Sequence, residues 1–353
     1  MPAPDARGMG CPSISRADRP AQGPSMTEAT IDVVGIGNAI IDLLAHAEDS
    51  FLIEHKLNKG AMTLIDEPTA ERLYAAMGSA TRASGGSAGN TIAGLGSLGA
   101  SCGYIGKLRD DELGAAYRHD LLASGVRFTT PMASDGPSTA RCIIFVTSDA
   151  ERTMNTYLGA CVNLTPDDID EALVGSAKVT YLEGYLYDEP HAKAAFHRAA
   201  DIAHGAGRKV ALTLSDAFCV LRHRADFLDL IRDRIDILFA NEAELLALFE
   251  TEDRDAALDR VAGMVELAAV TLSAEGSVVV RGAERVRSPA AHIERVVDTT
   301  GAGDLYAAGF LYGLTQGLPL AECARIAGLA AAEIISHFGA RPEVPLREFA
   351  GLD

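Results

Sequence analysis

The strongest constraint on this chain is a rhythm: short apolar runs alternate with longer, helix-like segments. Ile31–Ile36 (IDVVGI) reads as a buried strand, Ala88–Leu98 as a small-residue helix built for close packing, Ser101–Ile105 as a strand and Asp111–Ser124 as an amphipathic helix. Val179–Leu182, Lys209–Leu214, Ile235–Ala240 and Ala268–Leu272 are further apolar runs, separated by the helical patterns His191–Ala203, Glu242–Leu248 and Arg254–Val265. Strands that alternate with helices pair in parallel, because each crossover lays a helix on one face of the sheet. The predicted fold is therefore α/β, a doubly wound and mainly parallel sheet with helices on both faces. The 353 residues suffice for one large domain or a domain with a small appendage.

One region breaks the rhythm. Ala140–Thr147, a turn at residues 148–151 and Arg152–Leu158 read as a hairpin with no helix between its strands. A hairpin inserted into a doubly wound sheet predicts a small β lid, with lid strands around residues 43–66 and 139–162. Residues 1–25 are rich in proline, glycine and serine and lack an apolar signal core, so a disordered extension is expected before a domain spanning 26–353.

The net charge is −18, and no basic stripe is present, which argues against nucleic acid and anionic membrane surfaces as partners. No apolar run reaches the ~18 residues of a membrane span. The six cysteines have neither zinc nor disulfide-framework spacing, which suits a reducing, cytoplasmic compartment. Phosphorylated ligands stay open, since backbone N–H groups bind phosphate without lysine.

Two nucleotide motifs fail on context. Gly103-Tyr104-Ile105-Gly106-Lys107-Leu108 has the wrong spacing for a Walker A loop and no hydroxyl after the lysine. Gly94-Leu95-Gly96-Ser97-Leu98-Gly99 spells G-x-G-x-x-G, but within or at the end of a predicted helix, where small residues serve packing. The stretch Val296-Val297-Asp298-Thr299-Thr300-Gly301-Ala302-Gly303-Asp304 has a better setting. Its two valines predict the end of a strand, the glycines a turn, and the apolar run after Asp304 a helix. Free N–H groups of a first helical turn attract anions. The ordinary reading of Asp304 is a cap on its own helix.

Asp298-Thr299-Thr300-Gly301-Ala302-Gly303-Asp304 resembles the C-terminal signature of the ribokinase, or PfkB, family of carbohydrate and nucleoside kinases. Gly85-Gly86-Ser87-Ala88-Gly89-Asn90-Thr91, continuing through Gly103-Tyr104-Ile105-Gly106, is similar to its N-terminal signature. Asn241-Glu242-Ala243-Glu244 resembles its N-x-x-E element, and Thr271-Leu272-Ser273-Ala274-Glu275-Gly276 its nucleotide-binding strand end. The four motifs stand in the family's order from about Ile31 to Pro345.

The resemblance implies phosphoryl transfer from ATP with Mg²⁺. Asp304 would be the base, and the amides of Gly301, Ala302 and Gly303 the anion hole. Asn241, Glu244, Thr271, Ser273, Gly276 and Gly303 would bind ATP, with Glu244 holding Mg²⁺ through water. Asp298 and Thr300 are added as a candidate site for a monovalent cation, K⁺, as in some relatives. Asn38, Asp42, Gly86, Asn90 and Arg152 would bind the acceptor. A carboxylate such as Asp42 can accept from both hydroxyls of a vicinal diol.

The Asn38-x-x-x-Asp42 spacing, the lid element Asp149-Ala150-Glu151-Arg152 and the run from Glu322 to Pro342 resemble the adenosine kinase branch. Ile40, Met154 and Tyr185 are candidates to stack on a base, or plain core. The expectation is a cytoplasmic kinase, monomer or homodimer, that converts adenosine to AMP. A ribokinase- or fructokinase-type sugar kinase is the alternative. An NAD-dependent dehydrogenase and a non-catalytic small-molecule binder are remote.

Overall fold

The structure, a computed structural model, describes residues 29–149 and 151–352. The expectation of disorder in residues 1–25 lies outside the described residues, as does Ala150 in the predicted hairpin turn.

In chain order the strands are β1 Ile31–Ile36, β2 Ile40–His46, β3 Met62–Leu64, β4 Thr81–Gly85, β5 Cys102–Ile105, β6 Arg127–Phe128 and β7 Ala140–Val146. There follow β8 Arg152–Tyr157, β9 Ala177–Glu183, β10 Lys209–Thr213, β11 Ile237–Asn241, β12 Leu267–Thr271, β13 Ser277–Arg281 and β14 Glu284–Ser288. Nine of them form one sheet in the order β14-β13-β12-β11-β10-β9-β1-β5-β6. It is parallel from β12 to β6, and an antiparallel hairpin closes its other edge. Side chains alternate along each strand, so the sheet feeds two cores. Val33, Tyr181 and Phe239 face the helices Ser87–Ser97, Ala302–Thr315 and Leu320–Ile335. Val34, Ile36 and Leu212 face the helices Pro190–Gly205, Ala217–Arg234 and Glu242–Phe249. The doubly wound reading of the rhythm holds, and among the described residues no helix is long and apolar enough to cross a membrane.

The chain leaves β1 toward β5 on one side and returns through β9 on the other. Strand order thus reverses between β1 and β9, and their carboxyl ends open a crevice of the kind that receives ligands in open α/β sheets. The remaining strands form a second sheet, β3-β8-β7-β2-β4. One of its faces, with Ile41, Leu43, Ile143 and Phe145, is buried with Leu52, Ala70 and Leu73 of the helices Asp49–Glu54 and Glu67–Ala76. The opposite face carries Ile40, Leu44, Cys142, Ile144 and Met154, with Asp42 among them.

Two expectations need correction. No strand leads into the turn at Gly301: Val297 and Asp298 donate their N–H groups to the carbonyl of Ile335 at the end of the Leu320–Ile335 helix, not to a sheet neighbour. The second sheet also draws on residues outside 43–66 and 139–162, since β2 starts at Ile40 and β4 is Thr81–Gly85. Both were hidden for physical reasons. The run IIDLLAH masks its period of two behind apolar residues on both faces, and TRASG contains almost no β-formers. As expected, the G-x-G-x-x-G letters fall on the Ser87–Ser97 helix and its end. A Cβ on Gly94 would lie 2.5 Å from Leu305 Cδ1 and 2.8 Å from Ala308 Cβ, so this glycine lets two helices touch, the packing role that its sequence context predicts.

Candidate active site

Two helices begin on glycines in the left-handed region. Gly86 (φ +84°) precedes the Ser87 helix, and Gly301 (φ +81°) precedes the Ala302 helix. Neither glycine has a side chain to cap its helix, and the first-turn N–H groups of Ala88 and Ala302 are instead taken by the Glu183 carboxylate and the Thr299 carbonyl. At Gly86 a Cβ would sit 2.0 Å from the carbonyl oxygen of Asn38, so only glycine fits. Of the turn expected to form an anion hole, Gly303 is exposed with open space where a Cβ would point, while the Ala302 N–H is already bonded to the Thr299 carbonyl at 3.2 Å.

Asp304 does not cap its helix. It is the third residue, and its carboxylate reaches across to the other helix start. Ser87 Oγ donates to Oδ1 at 2.6 Å, and Asn90 Nδ2 donates to Oδ2 at 3.0 Å. Burial pushes this carboxyl up to about 6, against the pull of those two bonds and of the Arg341 charge. A carboxylate so held is oriented, charged at neutral pH and flanked by two positive helix ends.

Asp42, on β2, faces a small cavity together with Asn90, Arg152, Thr300 and Arg341, under an apolar wall of Leu44, Ile144 and Met154. Its Oδ2 lies 2.3 Å from the position a Cβ on Gly85 would take. Burial pushes Asp42 up to about 7, with the guanidinium charges of Arg341 and Arg152 opposing. Asn38 is buried at the crevice between β1 and β9. Its Nδ2 donates to Glu183 at 2.8 Å and its N–H at 3.3 Å. The side-chain amide oxygens (Oδ1) of both Asn38 and Asn90 are buried with no protein partner. Buried acceptors of this kind call for donors from a bound molecule, and hydroxyl groups supply them.

Glu183 is the residue that sequence reasoning missed. It ends β9 at the switch point, accepts from Asn38 and from the Ala88 N–H (2.8 Å), and burial pushes it up to about 7. The available signal was a charged residue closing the apolar run Val179–Leu182 at the carboxyl end of a central strand.

Arg152 opens β8. Its Nη1 meets Asp298 Oδ2 at 2.7 Å and donates to Thr300 Oγ1 at 3.1 Å, while Nε and Nη2 are buried without partners. Asp298 also accepts from the Thr300 N–H, the Thr300 hydroxyl and the Gly339 N–H. With a guanidinium already matching its charge, Asp298 does not fit the K⁺ site expected with Thr300.

Asn241 and Glu244 form a reciprocal capping box at the end of β11: Asn241 Nδ2 and N–H donate to the carboxylate at 2.7 and 3.0 Å, and the Glu244 N–H donates back at 2.8 Å. Glu244 is nonetheless 5% exposed, and burial, then the charges of Asp216 and Asp304, push it up to about 7. An isolated helix cap needs no such burial. A single buried carboxylate, Glu244, is a donor that fits Mg²⁺, an ion that keeps much of its hydration shell. Thr271 ends β12, followed by a turn with Ser273 at φ +52° and Gly276 at φ +90°.

The structure thus joins Asp42, Asn90, Arg152, Thr300 and, through Asn90, Asp304. Asn38 and Gly86 meet at the adjoining crevice. Asn241, Glu244, Thr271, Ser273 and Gly276 stand apart from that cavity at the carboxyl ends of β11 and β12. Of the stacking candidates Met154 lines the cavity; Ile40 and Tyr185 do not.

The family model for pfkB family carbohydrate kinases matches residues 59–347. The crystal structure of adenosine kinase from Sinorhizobium meliloti is 57% identical, superposes with a TM-score of 0.85, and covers 92% of this chain and 99% of its own. A probable sugar kinase from Rhizobium etli is 50% identical with a TM-score of 0.85, over 92% and 98% of the two chains. An uncharacterized sugar kinase from Archaeoglobus fulgidus is 29% identical over 258 residues, 71% of this chain and 98% of its own. The chain belongs to the pfkB family of carbohydrate kinases.

Proposed function

We propose that this kinase transfers the γ-phosphoryl group of Mg·ATP to the 5′-hydroxyl of a nucleoside, with adenosine as acceptor and AMP and ADP as products, in the cytoplasm. One observation carries the reading: Asp304 is tied through Asn90 to a cavity where a diol-binding carboxylate, Asp42, sits beneath an apolar wall. Ribose hydroxyls pair with Asp42 and with the unpartnered oxygens of Asn38 and Asn90. The apolar wall of Leu44, Ile144 and Met154 suits a flat base and offers little to a free sugar. The relative described as an adenosine kinase, at 57% identity, supports the same acceptor.

In this reading the hydroxyl oxygen bonds to the γ-phosphorus as the bond to the β-phosphate oxygen breaks, and the proton passes to Asp304. Transfer of this kind has a loose transition state, so placing the carboxylate matters more than its basicity. Ser87 and Asn90 hold it in place. In the turn at Gly301, Ala302 and Gly303, the Gly301 and Gly303 N–H groups receive negative charge on the migrating group, the Ala302 N–H being held by the Thr299 carbonyl, and Arg152 adds its two free donors. Asn241 and Glu244 would hold a hydrated Mg²⁺, which would supply neutralisation of the phosphate charge. Thr271, Ser273, Gly276 and Gly303 take the nucleotide. Closure of the second sheet over the crevice excludes water.

A second reading has one observation of its own. Two guanidinium groups, Arg152 and Arg341, line the acceptor cavity, and such a pair suits a sugar bearing a carboxylate. Measuring ATP consumption with adenosine, guanosine, inosine, ribose, fructose and gluconate separates the two. The expected result is turnover of adenosine at far higher kcat/KM than any sugar. Turnover of gluconate or a free sugar alone would rule the nucleoside reading out.

A further inference from the structure

Arg341 stands in the loop after the Leu320–Ile335 helix, and three parts of the molecule meet there. Its Nε donates to the carbonyl of Ser84 on β4 at 2.7 Å. The same loop donates the Gly339 N–H to Asp298 at 3.0 Å, and its Ala340 Cβ would lie 3.0 Å from a Cβ on Gly301. The guanidinium also approaches the Ser87 helix, since Nη2 would be 3.6 Å from a Cβ on Gly89. Arg341 therefore sits where the second sheet, the start of the Ser87 helix and the turn before Asp304 converge, and it lines the cavity that holds Asp42 and Asn90.

A single tie to Ser84 uses one of its donors. Nη2 is buried with no hydrogen-bond partner. A guanidinium N–H shut away from water requires an acceptor, and the cavity side is where one can enter. The charge has a second effect. Asp42 is faced by Arg341 from the loop, Arg152 from β8, Asp304 from the Ala302 helix, Cys142 from β7 and Tyr117 from the helix Glu112–Ala123. Burial pushes Cys142 and Tyr117 up to about 12, so both stay neutral across the working range. Of the two cations, Arg341 does more to keep Asp42 ionised.

We propose that Arg341 is a substrate-binding residue of the acceptor site, its unpartnered Nη2 donating to a sugar oxygen of the nucleoside that Asp42 also holds. This rests on the nucleoside reading above and adds to it a donor beside the carboxylate, so that the diol is gripped from both sides.

The test compares the full-length chain with Arg341→Gln and Arg341→Lys, using steady-state kinetics with adenosine and ATP from pH 5 to 9. A lost charged hydrogen bond to substrate lowers kcat/KM for adenosine roughly 10- to 100-fold in Arg341→Gln, mainly through KM, and leaves KM for ATP within about twofold. Without the cation Asp42 protonates more readily, so the acid limb of kcat/KM for adenosine moves to higher pH. Arg341→Lys returns the limb toward the wild-type position, because it restores charge, but not the KM, because it lacks the planar fork. If Arg341→Gln fails to fold, adenosine binding to Arg341→Lys by calorimetry replaces it, and weaker binding than wild type is the expected result. An unchanged adenosine KM and acid limb in a folded variant, a KM rise for ATP alone, or wild-type adenosine binding by Arg341→Lys overturns the proposal. A wild-type chain that turns over no nucleoside instead removes the reading on which the proposal rests.

Discussion

The bond from Asn90 to Asp304 shows what a single residue does in this site. A carboxylate at the third position of a helix could remain a local feature, but here both of its oxygens are fixed by the start of another helix. Proton acceptance needs the ionised form, and Asp304 and Asp42 sit at about 6 and about 7. Activity is therefore expected to fall on acidification through that window, as each carboxylate takes up a proton. Replacing Asp304 by asparagine keeps the volume and the bond to Asn90 within reach of rotation, yet removes the base. Turnover of adenosine should drop by roughly 10²- to 10⁴-fold while ATP affinity stays within about twofold. Near-normal turnover of Asp304→Asn would take the proton-acceptor role away from this residue.

At the scale of elements, helix packing and strand ends explain both what the sequence revealed and what it concealed. The Ala302 and Leu320 helices cross at Gly309, where a Cβ would fall 2.7 Å from the Ala327 Cα and 2.8 Å from its nitrogen. The obstacle is backbone, which cannot swing aside. Gly309→Ala should destabilise the fold by about 1–3 kcal/mol, a loss to be read from the denaturant midpoint, with KM for adenosine in the folded fraction unchanged. A midpoint equal to wild type would mean that the helices have room to separate. The turn before Asp304 was legible because its letters carry local chemistry: glycine, small residue, glycine and acid at a helix start. Glu183 was not, because its meaning lies in Asn38, 145 residues away. The pairing of Arg152 with Asp298 was equally invisible. It spans the hairpin and the C-terminal turn, and only the assembled fold shows that a guanidinium already pairs with the Asp298 carboxylate. The capping box at Asn241 illustrates a third case. Its local reading and its functional reading use the same atoms, and burial of Glu244 alone separates them.

For the whole molecule, the crevice between the sheets concentrates negative charge that folding has taken out of water. Asp42, Glu183, Glu244 and Asp304 all sit above the ordinary carboxylate range, each mainly because of burial. A carboxyl raised on folding binds its proton more tightly in the folded state than in the unfolded one. The stability it contributes is present below its unfolded value near 4 and is lost as pH rises through about 6 to 7. The four therefore act in the same direction, and the ligand-free protein should become less stable between pH 5 and pH 8. Glu183 and Glu244, 1% and 5% exposed, are the least screened of the set. A shift of one unit is worth ~1.4 kcal/mol, so together the two destabilise by on the order of a few kcal/mol at pH 8, or roughly 5–10 °C in thermal midpoint. Paired carboxylates such as Asp236, held down by His204 and the Val210 N–H despite burial, have the opposite sign, but their contribution is lost only below the usual carboxylate range and leaves this window untouched. Calorimetric scans of the ligand-free chain at half-unit steps of pH measure the slope directly, and a midpoint that stays flat or rises from pH 5 to 8 would contradict it. Saturation with adenosine and Mg²⁺ plus a non-hydrolysable ATP analogue should flatten the slope. Under the proposed function, hydroxyl donors then reach Asp42 and hydrated cation reaches Glu244, so the charge that destabilises the ligand-free crevice would become the charge that binds its ligands.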